Sequence, residues 1–127
     1  MLNEEWDYEI IIPDVPSSAN HPSDDIGEKK NRHMSWGKLA SYKTRWENKA
    51  RVYKQSLPSF DGVKIRVKFI FYFSVSRKRD NDNFFVAMKG IIDGFFEEDD
   101  SQNLICDFPD FLVDKENPRT IILIKLL

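Results

Sequence analysis

The sequence predicts a single α/β (α+β) domain, with a mixed β-sheet and two main helices in the order β-α-β-α-β-β. Three observations favour this class. The chain has 127 residues, an ordinary size for one domain. Hydrophobic residues make up 41% and charged residues 31% of it, a balance typical of a globular protein with a solvated surface. Apolar residues recur at a spacing of two in one segment and of three or four in two others.

The first strand is predicted at residues 8–12, because Pro13 and Pro16 follow it and proline removes a backbone donor from a sheet. The segment 13–34 contains three prolines and many Ser, Asn and Asp residues, so we expect a flexible loop within the single domain 1–127. A loop of this length is either functional or a disordered connection.

Residues 41–57 predict the first main helix, because apolar side chains recur there at spacings of three and four. The stripe consists of Tyr42, Trp46, Ala50, Tyr53 and Leu57. Core packing explains this stripe better than a platform for base stacking, which needs aromatic rings outside the core.

Residues 63–75 predict the longest strand, since apolar side chains occupy alternate positions throughout. Residues 69–73 are apolar on both faces, so we expect this part to be central in the sheet and covered on both sides. Two short strands are predicted near the end of the chain, at about 103–108 and 120–126.

The second helix is predicted to follow Asp82 as its N-cap, a position at which aspartate is favoured. Its apolar face contains Phe84, Phe85, Met88, Ile91, Ile92, Phe95 and Phe96. Gly90 and Gly94 each weaken a helix by up to about 1 kcal/mol relative to alanine. Packing against the rest of the domain must therefore hold this helix together.

The net charge of −2 conceals an uneven distribution. Residues 1–79 carry 15 Lys and Arg against 10 Asp and Glu, whereas residues 80–127 carry 4 against 11. Residues 29–54 alone contain nine cations and one anion, Glu47. A basic patch and an acidic patch are therefore expected on one molecule.

The single cysteine, Cys106, excludes an intrachain disulfide and favours a reducing compartment, so we expect a cytoplasmic protein. The start of the chain is acidic where a signal peptide is basic, and no apolar run approaches the roughly 20 residues of a membrane span. We therefore expect no membrane partner.

The long predicted strand ends in SRKRDNDN, at residues 76–83. Asp80 and Asp82 would project to the same side of an extended segment, with Cα atoms roughly 6.5 Å apart. Two such carboxylates repel each other unless a cation lies between them, and oxygen ligands suit Mg²⁺ or Mn²⁺. The alternative is a polar turn that closes the strand. A calcium-binding EF-hand is excluded, because the positions that require an oxygen ligand, a glycine and a glutamate hold Phe84, Phe85 and Ile91.

Lys89 follows Asp82 by seven residues, which is about two helical turns, so both lie on one side of the helix. Because side chains lean toward a helix N-terminus, the ammonium could return toward the aspartates and stabilise a phosphate oxygen. The alternative is a surface ion pair with Asp93, four residues further on. A third carboxylate would come from Glu97, Glu98, Asp99 or Asp100, and spacing does not choose among them.

Read together, RKRDNDNFFVAMKGIIDGFFEEDDSQ resembles the RusA family of Holliday junction resolvases. The family pattern is an Arg-rich strand end, D-x-D-N, an apolar helix with a lysine and a later aspartate, and D-D-[SA]-Q before a strand. The resemblance implies a homodimeric, Mg²⁺-dependent endonuclease that makes paired nicks across four-way DNA junctions, with Mn²⁺ as a possible substitute. Small members of the family are often carried by phages and prophages.

The resemblance implies that Asp80, Asp82 and Asp100 are catalytic metal ligands and that Lys89 supports the charge developing on the phosphate. Asp99 is the alternative to Asp100, because the connection from Asp93 is short for the family. Some members place the lysine three residues after the asparagine, where this chain has Val86; a longer spacing also occurs.

The cations expected nearest the DNA are Lys29, Lys30, Arg32, Arg77, Lys78 and Arg79. The alternatives to a resolvase are a non-catalytic branched-DNA-binding module, a nuclease for other branched DNA, and a globular domain with an acidic turn.

Overall fold

The computed structural model describes residues 5–16, 36–60, 62–76, 84–96 and 104–127. Its strands are β1 (Tyr8–Ile12), β2 (Ile65–Phe73), β3 (Leu104–Cys106), β4 (Asp110–Val113) and β5 (Arg119–Leu126), and its helices are α1 (Trp36–Tyr53) and α2 (Phe85–Phe95). A short 3₁₀ turn, Lys54–Ser56, follows α1. The predicted class is confirmed: the chain forms one mixed sheet with two helices.

The strands form a five-stranded sheet in the order β1-β5-β2-β3, and β4 also pairs with β2. β5 is antiparallel to both β1 and β2. β3 and β4 are both parallel to β2, with Ile65 beside Leu104 and Phe73 beside Val113. β2 is therefore central in the sheet, as its length and hydrophobicity predicted.

Both helices lie against the same face of the sheet. The β2 side chains at odd positions from Ile65 to Phe73 are all buried, and they form one core with the inward side chains of the helices. Those at even positions, among them Ile70 and Tyr72, are only half-buried. The expectation that β2 is covered on both sides is therefore only partly correct within the described part of the chain, because both helices cover one face.

The aromatic stripe of α1 packs into the core, as predicted. Tyr42, Trp46 and Ala50 are each 0% exposed, and Tyr53 and Leu57 pack against the same core from partly buried positions. A base-stacking role is therefore wrong for Tyr42 and Trp46, the two fully buried aromatic side chains of the stripe.

Several boundaries differ from those predicted. α1 begins at Trp36, before the expected residue 41, and α2 begins at Phe85 with Phe84 in the N-cap position, so the N-cap prediction for Asp82 is wrong. β4 was not predicted, because DFLV is short and becomes a strand through its pairing with β2. Of the loop expected at 13–34, residues 13–16 belong to no helix or strand, and the rest lies outside the described residues.

Candidate functional site

Lys89 is the one predicted site residue that lies in the described part of the chain. The other predicted catalytic residues and all the predicted DNA-binding cations lie outside it: Asp80, Asp82, Asp100, Lys29, Lys30, Arg32, Arg77, Lys78 and Arg79. The convergence of the three aspartates therefore stays a prediction. Within the described ranges, no group of three or more His, Cys, Asp or Glu side chains could hold a metal ion.

The structure does fix both ends of the segment that contains Asp80 and Asp82. Phe73 is the last residue of β2, and Phe84 directly precedes α2. Their rings lie 5.6 Å apart, and both contact the rings of Phe71 and Phe111. The chain therefore leaves the sheet and enters the helix at one aromatic cluster, so the two ends of the aspartate-containing segment are close together.

β4 places one further carboxylate at this end of β2. The backbone N–H of Asp114 donates to the carbonyl oxygen of Phe73 over 2.8 Å. The Asp114 side chain accepts a hydrogen bond from Arg119 over 2.7 Å and further bonds from the backbone N–H groups of Glu116 and Asn117. The Arg119 bond is the main reason that the pKa of Asp114 is lowered. Sequence reasoning did not single out Asp114, and these bonds already occupy its side chain.

Lys89 lies on the exposed side of α2. Its side chain is 46% exposed, and its Nζ is 3.1 Å from Oδ1 of Asp93. Phe85, one turn earlier on the same side, is 41% exposed. The ion pair considered as an alternative is therefore present. Lys89 still faces solvent, on the same side of α2 as Phe85, the first residue of the helix.

Val86 occupies the position that some RusA-family members give to lysine. It is half-buried and packs against the core, unlike Lys89. A displacement of three residues on a helix rotates a side chain by about 60° and moves it about one turn. In this chain the exposed lysine therefore lies about one turn further from the N-terminus of α2.

Asp93 also binds a second lysine, which comes from α1. Lys43 Nζ lies 2.7 Å from Oδ2 of Asp93, so the two carboxylate oxygens accept from different helices. Partial burial alone would raise the pKa of Asp93, but hydrogen bonds from Lys43 and Lys89 outweigh it, and the pKa is lowered. Asp93 therefore stays ionised and holds two ammonium groups together.

Two glycines of α2 explain why α1 comes so close. A Cβ atom built on Gly90 would lie 2.5 Å from the backbone oxygen of Lys43, and one built on Gly94 would lie 2.5 Å from that of Glu47. The helices can approach this closely only because both positions lack a side chain. The sequence identified these glycines only as weak points of α2, whereas they are the contact surface that brings Lys43 beside Lys89.

The other cations of α1 have different partners. Lys49 pairs with Asp14 and lies 4.8 Å from the Trp46 ring centroid, and Arg51 pairs with Glu47 within the helix. The basic stretch predicted at 29–54 is therefore partly neutralised along its described portion. Lys43 was one of the nine cations of residues 29–54, and no local spacing distinguished it, because its partner lies on the other helix.

Comparison of the chain with models of known protein families gives no match, and comparison with curated proteins gives none either. No helix in the described ranges is both long and apolar enough to cross a membrane.

Proposed function

We propose that this chain is an Mg²⁺-dependent endodeoxyribonuclease that resolves four-way DNA junctions by paired nicking, as a cytoplasmic homodimer. The observation that carries the proposal is the order of the DNDN, lysine-helix and DDSQ elements along the chain. The contact between Phe73 and Phe84 supports it, because this contact brings together the two ends of the segment that contains Asp80 and Asp82.

The proposed ligands, Asp80, Asp82 and Asp100, offer only carboxylate oxygens, a donor set that fits Mg²⁺ and accepts Mn²⁺. A bound divalent ion would supply activation of a water molecule and polarisation of the scissile phosphate. The proposed role of Lys89 is to stabilise charge that develops on a phosphate oxygen. The cations of the Arg77–Arg79 segment would bind the DNA backbone beside the aspartates, and Lys29, Lys30 and Arg32 would extend that contact.

The test is cleavage of a synthetic four-way junction by the purified chain with Mg²⁺, resolved on a denaturing gel. We expect symmetric nicks in opposing strands, loss of nicking with EDTA, and at least a hundredfold loss, to order of magnitude, for Asp82→Asn. Asp110→Asn is the matched control, because Asp110 is exposed and forms a surface ion pair with Lys68. Wild-type activity in Asp82→Asn would contradict the catalytic assignment.

A non-catalytic branched-DNA-binding module is the second candidate, and the apolar, half-buried Val86 favours it. This candidate predicts salt-dependent junction binding without metal-dependent cutting. A nuclease for other branched DNA predicts instead that flap or forked DNA competes with the junction and is cut faster.

Sedimentation equilibrium tests the homodimer separately, and a monomer at the concentration used for cleavage would contradict paired nicking by two subunits.

A further inference from the structure

We infer that Lys43 and Lys89 form a two-lysine site, held together by Asp93, that binds the phosphate backbone of DNA. This inference rests on the proposed function, which gives Lys89 a phosphate contact, and it adds a second lysine from the other helix. Nζ of Lys43 and Nζ of Lys89 bond to different oxygens of one carboxylate, at 2.7 Å and 3.1 Å. Both ammonium groups are therefore held beside one point on the surface.

The local charge favours an anionic ligand. Lys43, Lys89 and Arg51 supply three positive charges on this surface of the helix pair, and Asp93 and Glu47 supply two negative charges. Glu47 pairs with Arg51 on α1. Within these five side chains the positive charges exceed the negative charges by one, since Arg51 and Glu47 balance each other.

Both lysine side chains are partly exposed to solvent. The Lys43 and Lys89 side chains are 37% and 46% exposed, whereas Asp93 beneath them is 23% exposed. A lysine ammonium carries three protons, so the bond from Lys43 to Asp93 leaves protons of Lys43 for other acceptors. Lys43 can therefore bind a phosphate oxygen without displacement of the carboxylate.

The close helix contact gives the site its rigidity. Gly90 is adjacent to Lys89 in the sequence, and a Cβ atom at this glycine would lie 2.5 Å from the backbone oxygen of Lys43. Asp93 then limits the motion of both long side chains before any ligand arrives. Less conformational entropy is lost on binding when the groups are already ordered, so this pair should bind phosphate better than two independent surface lysines.

The test is fluorescence anisotropy with a labelled four-way junction and a linear duplex, in EDTA, at several salt concentrations. We expect Lys43→Gln to weaken binding to both DNAs about threefold or more and to reduce the slope of log K against log salt by about 0.9, the value for one phosphate contact. Lys43→Arg should stay within about twofold of wild type, since it keeps the charge. Lys115→Gln, on the exposed turn after β4, is the matched control and should change neither quantity.

The role of Asp93 is tested by the same measurement in an Asp93→Asn background. If the carboxylate holds Lys43 in place, the loss of DNA affinity caused by Lys43→Gln should shrink by about half or more in that background. An unchanged loss would overturn the role of Asp93. Circular dichroism melts of each variant check that the fold is kept.

Junction cleavage with Mg²⁺, measured on the same preparations, separates this inference from the proposed function. Cleavage by wild type together with a Lys43→Gln variant that binds like Lys115→Gln overturns the two-lysine site and leaves the nuclease intact. Binding that depends on Lys43 without any cleavage supports the site and overturns the nuclease. A wild-type chain that binds neither DNA at low salt overturns both.

Discussion

The backbone carbonyl of Lys43 faces Gly90 so closely that a Cβ atom on the glycine would lie 2.5 Å from the oxygen. Gly94, one turn later, would place a Cβ atom 2.7 Å from Cβ of Ala50. Neither neighbour is the end of a flexible side chain, so it could move away only if the helices separated. The two glycines therefore fix the distance between α1 and α2.

Gly90→Ala should lower the free energy of unfolding by about 1–2 kcal/mol. Alanine gains up to about 1 kcal/mol in helix propensity, but overpacking a close contact costs about 1–3 kcal/mol. Chemical denaturation measures the difference, with Thr44→Ala at an exposed position of α1 as the control that should be neutral or stabilising. A more stable Gly90→Ala variant would show that the helices are not in close contact at this point.

The ion pairs of Asp93 should make part of the stability depend on pH. Its pKa in the folded chain lies below the ordinary value of 3.8, because the bonds from Lys43 and Lys89 outweigh the effect of partial burial. The contribution is therefore complete above the unfolded pKa of about 3.9 and is lost as the pH falls through the folded pKa. Carbon NMR titration of the carboxyl group should give a midpoint below 3.8 that rises in Lys43→Gln. A midpoint at or above 3.8 in wild type would contradict the pairing.

Thr120 joins β5 to the chain that follows β1. Its side chain is 0% exposed, and its hydroxyl donates to the carbonyl oxygen of Asp14 over 2.8 Å. Thr120→Val keeps the shape but removes the donor, so we expect it to cost about 1–2 kcal/mol of unfolding free energy. Thr44→Val, at an exposed helix position, should cost less than about 0.5 kcal/mol. Equal costs for the two variants would show that the buried bond contributes nothing measurable.

The sequence predicted those parts of the fold that local periodicity determines. Alternation located β2, and the spacing of Tyr42, Trp46 and Ala50 located the buried side of α1. β4 was missed, since its four residues form a strand only beside the end of β2. Local pattern carries no information about a neighbour that arrives from a distant part of the chain.

In the candidate site, too, sequence reasoning predicted the contact between residues close in the chain and missed the contact between distant ones. Lys89 and its partner Asp93 are four residues apart, so helical spacing predicted their ion pair. Lys43 is fifty residues from Asp93 in the sequence, and only the packing of Gly90 and Gly94 against α1 brings the two together. Sequence reasoning identified only the cost of these glycines in helix propensity, because their role as a close contact depends on the partner helix.

Cys106 should react slowly with thiol reagents at neutral pH. Burial of the thiol, with the negative charge of Asp107 as a second cause, raises its pKa to about 11, although the residue as a whole is exposed. Only the thiolate is nucleophilic, so its alkylation by iodoacetamide should be far slower than that of free cysteine at pH 8 and should increase until about pH 11. The unfolded chain in denaturant is the control and should react like free cysteine. Equal rates in the folded and unfolded chain would contradict the raised pKa.

Lys89 should affect cleavage more than binding if the proposed nuclease activity is correct. Removal of one group that stabilises charge in a transition state costs about 10²–10³ in rate, whereas one lost phosphate contact weakens binding only severalfold. Lys89→Ala should therefore reduce single-turnover junction cleavage about a hundredfold and change the dissociation constant in EDTA less than about tenfold. Lys64→Ala, at an exposed lysine before β2, is the matched control for loss of one positive charge.

Val86→Lys in the Lys89→Ala background then tests the position used by some RusA-family members. Recovered cleavage would show that both positions reach the same phosphate, and a Lys89→Ala variant that cuts at the wild-type rate would exclude Lys89 from the chemistry.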